Sequence, residues 1–124
     1  MTQPISPRDP SANRAAQAAG AGALTIGSRR DGDEHIVRLA GELDLAHAAD
    51  LEGELLRVEG TDAKRIVVDL SGLTFIDSTG VRIMLQAQAR SRADSNRLTL
   101  IRPPANVNRV FVICGVERML PFGD

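Results

Sequence analysis

The chain has 124 residues, a formal net charge of -1 and 43% hydrophobic residues, enough for one domain with one core. The 15 Lys and Arg against 16 Asp and Glu make no field that would draw nucleic acid or an anionic membrane, and the absence of Trp and Tyr leaves few platforms for stacking bases. With two histidines and one cysteine, an imidazole metal site is disfavoured and an internal disulfide is excluded. No apolar run has the length of a membrane span. The start, Met1-Thr2-Gln3-Pro4-Ile5, lacks the basic-then-apolar design of a secretory leader. The expectation is a cytoplasmic chain that needs neither metal nor cofactor.

Residues 1–22 carry Pro4, Pro7 and Pro10, then an Ala/Gly-rich stretch with hardly any large apolar side chain. Such a segment cannot bury enough surface to offset its ordering entropy, so it reads as a tail, with the folded domain over 23–124. Leu24-Thr25-Ile26 and Ile36-Val37-Arg38-Leu39 read as two strands. Asp31-Gly32 marks the turn between them, because Gly accepts positive φ and Asp tolerates it. An antiparallel hairpin is expected. After Gly41-Glu42-Leu43-Asp44, Leu51, Leu55 and Val58 share a helical face, with Asp44 placed as its N-cap and Gly60 as its stop.

Ile66-Val67-Val68-Asp69-Leu70 is a nearly continuous β-branched run, suited to a central strand covered on both faces. Leu73-Thr74-Phe75-Ile76 follows the turn at Ser71-Gly72. A second helix places Val81, Met84, Leu85 and Gln88 on one face, with Ile83 and Ala87 widening the stripe. Leu98-Thr99-Leu100-Ile101 is a further buried strand, closed by Pro103-Pro104. A last helix sets Val107, Val110, Phe111 and Cys114 at i, i+3, i+4 and i+7 before Gly115, which makes Cys114 a small core residue. Met119-Leu120-Pro121-Phe122 reads as a final extended piece. Repeated strand–helix–strand units imply parallel strands with right-handed crossovers. The fold class is α/β, a single domain whose mixed sheet begins with an antiparallel hairpin and carries helices packed against it.

The run Ile76-Asp77-Ser78-Thr79-Gly80 lies between a strand and a helix, which makes Ser78 a candidate N-cap beside unpaired helical N–H groups. A phosphate on Ser78 would meet those donors and the positive end of the helix dipole. Taken alone, the same residues favour a plain capped loop. A hydrolytic serine is disfavoured: the nucleophile elbow needs glycine two before and two after, Ile76 occupies the first position, and no histidine follows Ser78 in the chain. No catalytic residue is assigned.

Three segments in order, Gly41-Glu42-Leu43-Asp44, then Val67 through Gly80, then Pro104-Ala105-Asn106-Val107-Asn108-Arg109-Val110-Phe111, closely resemble the bacterial anti-sigma factor antagonists of the STAS superfamily. The resemblance spans roughly Leu24 to Phe122. It implies a STAS-like domain that binds an anti-sigma factor with serine kinase activity and so frees a sigma factor. It also implies Ser78 as the phosphate acceptor, with Thr79 the lesser alternative. Asp44, Asp77, Thr79, Gly80 and Arg82 are then candidate partner contacts. Asp77 would either orient the Ser78 hydroxyl or bond the loop backbone, and Arg109, off its apolar stripe, would be a solvated charge.

The chain departs from the family in two places. Gly80-Val81-Arg82 stands where relatives often have Gly-Leu-Gly, and Arg82 could pair with a phosphate on Ser78 or stay an exposed helix charge. Only Gly123-Asp124 follow Phe122 where many relatives continue into a helix, which leaves apolar surface for the tail or a second copy to cover, or exposed. A competing reading keeps the fold but makes the chain an accessory subunit of a transporter or other assembly, without phosphoswitching.

Overall fold

The computed structural model describes residues 22–123. In chain order these form β1 (Leu24–Asp31), β2 (Glu34–Leu43), a 3-10 turn (Leu45–His47), α1 (Ala48–Glu59), β3 (Arg65–Ile76), α2 (Ser78–Asp94), β4 (Leu98–Ile101), α3 (Ala105–Ile113), a second 3-10 turn (Glu117–Met119) and β5 (Phe122–Gly123). The expected tail over 1–22 lies outside the described residues except for Gly22.

The five strands lie side by side in sequence order. β1 and β2 form the expected antiparallel hairpin, with Asp31 opposite Glu34 and Gly32 at φ +60 in the turn. β2, β3, β4 and β5 are mutually parallel. Both hairpin strands run longer than their apolar cores suggest, because each residue of one has a ladder partner in the other from Leu24 opposite Gly41 onward.

Same-handed crossovers stepping one way across a sheet put every helix on one face, and the burial pattern follows. Val37, Leu39, Val68, Leu70 and Leu100 are fully buried under Leu51 and Leu55 of α1, Ile83 and Met84 of α2, and Val107 and Phe111 of α3, all in one apolar cluster. This corrects the expectation of a β3 covered on both faces. Val67 is half-buried and Ile101 exposed; they line an open groove on the far face with Ile36, Arg38, Asp69 and Thr99. Asp69 is buried there, and its carboxylate accepts from the Ser71 N–H at 2.9 Å and pairs with Arg38 at 3.4 Å. The β-branched run thus signals a central strand without two-sided cover.

The stripe of α3 is also narrower than its spacing implies. Val107 and Phe111 are buried and Val110 half-buried, whereas Cys114 is exposed, which corrects its placement in the core. The helix ends at Ile113, so Cys114 is already the cap. Gly115 takes φ +74, and the Gly115 and Val116 N–H groups donate to the carbonyls of Val112 and Phe111 at 2.9 and 3.1 Å. This is the Schellman pattern, which turns the chain before the fourth stripe position reaches the sheet. The last segment likewise differs from a continuous extended piece: Met119 closes a 3-10 turn, and only Phe122–Gly123 pair with β4.

His35 is a buried polar group of β2. Its Nε2 lies 2.6 Å from Ser28 Oγ, and its Nδ1 is buried without a partner. Burial, followed by the positive charges of Arg57 and Arg30, lowers its pKa below the ordinary imidazole value, with Glu54 opposing. The folded state therefore resists protonation more than the unfolded chain does. Stability should be level above the unfolded pKa of about 6.5 and fall as pH drops through it, where the unfolded chain binds the extra proton. Urea midpoints taken between about pH 7.5 and pH 5.5 should fall for the wild type and stay flatter for His35→Leu. An equal slope in both would disprove the assignment to His35.

Candidate functional site

Parallel pairing brings the first two sequence segments to one corner. Glu42 lies beside Phe75 and Leu43 beside Ile76 in the ladder, and the Asp77 N–H donates to the Leu43 carbonyl at 3.2 Å. Asp44 and Asp77 are therefore the residues that immediately follow two adjacent strands. The third segment reaches the same corner, since the Asn106 side-chain amide donates to the Thr74 carbonyl at 3.1 Å.

Two glycines make this close approach possible. Gly41 has φ +106, and a Cβ there would stand 2.1 Å from the Ala23 carbonyl oxygen. At Gly80 a Cβ would meet Ile76 Cγ1 at 2.6 Å and Leu43 Cγ at 2.8 Å. The start of α2 thus seats directly on the ends of β2 and β3, with Gly80 buried at the seat.

The cap differs from the sequence expectation. Asp77, extended at φ -111 and ψ -176, is the N-cap of α2, and Ser78 is its first helical residue. The Asp77 carboxylate accepts from the Thr79 N–H at 2.9 Å and the Gly80 N–H at 3.3 Å. A carboxylate one atom longer than a serine hydroxyl reaches both donors and takes the dipole's positive end as well. Ser78 is left exposed, and its hydroxyl makes no hydrogen bond among the described residues. Thr79 is half-buried. Of the two roles expected for Asp77, bonding the loop backbone is seen directly.

Asp44 caps the 3-10 turn that leads into α1 rather than α1 itself. Its Oδ1 accepts from the Ala46 N–H at 3.0 Å and lies 2.8 Å from His47 Nδ1. Gly60 does end α1 as expected, although at φ -81. Arg82 is exposed, has no ion pair among the described residues, and sits four residues after Ser78 on the same side of α2. Arg109 is exposed on α3.

Sequence reasoning missed the apolar part of this corner. Leu45 is 70% and Phe75 46% exposed, beside Asp44 and Ile76 in the chain. Periodicity cannot find them, because both lie where regular structure ends; only their strand-end position marks them. The Ser28–His35 contact resembles a nucleophile and base, yet His35 Nδ1 has no partner and so no group to orient the ring. Among the described residues, no group of three or more His, Cys, Asp or Glu could hold a metal ion, and no helix is long and apolar enough to cross a membrane.

A family profile described as "Mlab, STAS domain" matches residues 26–121. BtrV of Bordetella bronchiseptica, described as an anti-sigma factor antagonist, is 33% identical over 89 residues, covering 72% of this chain and 77% of that protein. The anti-sigma F factor antagonist of Lysinibacillus sphaericus is 30% identical over 83 residues, covering 65% and 70%. Among solved structures, an anti-sigma factor antagonist from Mycobacterium paratuberculosis superposes with a TM-score of 0.69 at 25% identity, covering 81% of this chain and 85% of that one. The antagonist SpoIIAA in its unphosphorylated form shares the fold, with a TM-score of 0.64 at 22% identity over 82% and 89%. With the motif segments gathered at one corner and the profile spanning the sheet and its helices, the chain belongs to the STAS-domain anti-sigma factor antagonist family.

Proposed function

We propose that this chain is a phosphorylation-controlled partner switch, whose unphosphorylated form binds an anti-sigma factor with serine kinase activity and releases the sigma factor. The observation that carries the reading is the placement of Ser78: an exposed hydroxyl on the first residue of α2, at a corner that also presents Asp44, Leu45 and Phe75. The chain is substrate rather than catalyst. Ser78 Oγ would take the γ-phosphoryl group of ATP while the bond to ADP breaks, with the hydroxyl proton passing to a base of the kinase. This reading places the protein in the cytoplasm, with its ATP-using partner.

The cap geometry specifies what the phosphate does. The Thr79 and Gly80 N–H groups are already engaged by Asp77, so a phosphate on Ser78 gains them only by displacing that carboxylate. It would add about -1.5 to -2 charges next to an existing negative charge, with Arg82 one turn along as the available cation. A partner packed over Leu45 and Phe75 would have to desolvate that dianion. Binding weakens while the core beneath, which holds no part of Ser78, stays folded.

Incubation with a kinase-type anti-sigma factor and ATP, followed by mass mapping, should place one phosphate on Ser78 and none on a Ser78→Ala chain. Equal phosphate uptake by Ser78→Ala would refute the assignment. Ser78→Asp should bind that partner more weakly with an unchanged circular dichroism spectrum; equal affinity would remove the switch, since a modification without differential binding shifts no equilibrium.

A further inference from the structure

The face of the sheet that carries no helix among the described residues has an order of its own. Ladder register lays its side chains in rows across the strands. One row reads Arg29, Ile36, Val67, Thr99 from β1 to β4, and the next reads Gly27, Arg38, Asp69, Ile101. A third pairs Glu34 with Arg65 across β2 and β3. Ile36 and Val67 are half-buried, whereas Arg29, Thr99 and Ile101 are exposed. Gly27 leaves a hollow at the β1 end of its row, where an added Cβ would meet only the Arg38 carbonyl oxygen, at 4.0 Å.

Each row is complementary to its own reverse. A two-fold axis running along the strands between β2 and β3 keeps every row at its own level and inverts its order. Ile36 then meets the second copy's Val67, Arg38 meets its Asp69, Glu34 meets its Arg65 and Arg29 meets its Thr99. Ile101 enters the hollow at the second copy's Gly27. We infer that this face is the interface of a homodimer, two copies packing sheet on sheet about that axis. Apolar contact of Ile36, Val67 and Ile101 drives the association. The Arg38–Asp69 and Glu34–Arg65 pairs, at 3.4 and 3.3 Å, are already made within each chain and do not hold the dimer. They let the face close without leaving a buried charge unpaired. Sheets packed face to face cross at about 30°, so the match is tightest at β2 and β3, nearest the axis. Four strands with about five residues each cover roughly 19 by 16 Å, short of the roughly 800 Å² per partner of a standard interface. The dimer is therefore weak and exchanges readily. Its axis sends both Ser78 corners to the same end, yet the pairing requires neither phosphate nor anti-sigma factor.

The test is sedimentation equilibrium of the full chain from about 10 µM to 1 mM, with amide spectra over the same range. The mass should rise from one chain toward two, and concentration-dependent shifts should centre on Ile36, Val67 and Thr99. Ile101→Lys, at an exposed position, should raise the dissociation constant about tenfold or more, because its ammonium would be buried unpaired. Arg29 and Thr99 lie three strand spacings apart in one chain, about 14 Å, so a charge at position 99 reads the contact between copies. Thr99→Glu should tighten the dimer about 2–5-fold and Thr99→Arg weaken it by a similar factor. Adding Arg29→Glu to the Thr99→Arg chain should restore association. A single-chain mass at every concentration would overturn the inference, as would equal affinities of the two Thr99 variants. Shifts centred on Leu45 and Ser78 would do the same, by assigning self-association to the switch corner. None of these readouts contains a kinase, so failure here is distinguishable from failure of the Ser78 switch.

Discussion

Replacing Phe111 with alanine should lower the free energy of unfolding by about 3–5 kcal/mol, a large share of the roughly 5–15 kcal/mol that holds a domain of this kind together. Phe111 is fully buried. Its ring meets Phe122 edge-on, with centroids 5.5 Å apart and planes at 80°, and the Arg102 guanidinium covers the other aromatic partner at 4.6 Å. Truncation empties the seat of α3 on β3 and removes the ring that fixes the short strand β5. The urea midpoint should drop with the m-value unchanged. Ile113→Ala, two residues on but 75% exposed, should stay within about 0.5 kcal/mol of wild type. Comparable losses in the two variants would show that the seating of α3 is wrong.

Gly41→Ala is the second large expected effect and bears directly on the site. Its φ of +106 costs any other residue about 1–3 kcal/mol. The added Cβ would also meet the Ala23 carbonyl oxygen at 2.1 Å, a backbone atom that cannot rotate aside because it accepts the Glu42 N–H. β1 must move off β2 at the point where the corner begins, for a total on the order of 2–4 kcal/mol. Thermal unfolding of three glycine variants separates the causes. Gly32→Ala, at φ +60 with open space, should cost only about 1–2 kcal/mol. Gly53→Ala, inside α1 with open space, should stabilise by roughly 0.5–1 kcal/mol. A Gly41→Ala chain no less stable than Gly32→Ala would mean that the close approach of Ala23 is absent. Where the Gly41→Ala chain still folds, partner binding should weaken with it, since Asp44 lies three residues downstream on the same strand end.

Much of this was legible in the chain. Leu98–Ile101 is a strand with the expected bounds, and α1 buries Leu51, Leu55 and Val58 as the spacing required. The hairpin followed from Asp31-Gly32. These features depend on residues close in sequence, whose periodicity and turn chemistry act before any long-range contact forms. Where the reading failed, either the adjacent residue took the position or the path of the chain across the sheet decided. Cys114 satisfies the helical spacing, but Gly115 unwinds the chain at that point. Ser78 is a good N-cap by composition, yet Asp77 reaches two donors at once and takes the position. Val67 looks like a two-faced core residue, but the direction of the crossovers left its face without a helix.

By itself the sequence determined that the chain makes one α/β domain with a hairpin start, and that a hydroxyl stands between a strand and a helix at Ser78. Both follow from local patterning and from the recurrence of three motif segments. Only the tertiary structure decided that these segments meet, because parallel pairing of β2 with β3 brings residues more than thirty positions apart to one end of the sheet. It also shows that Asp77 occupies the helix donors, leaving Ser78 exposed. The physical reasons differ: ladder register is a property of the assembled sheet, whereas the cap is decided by which of two adjacent side chains reaches the Thr79 and Gly80 N–H groups.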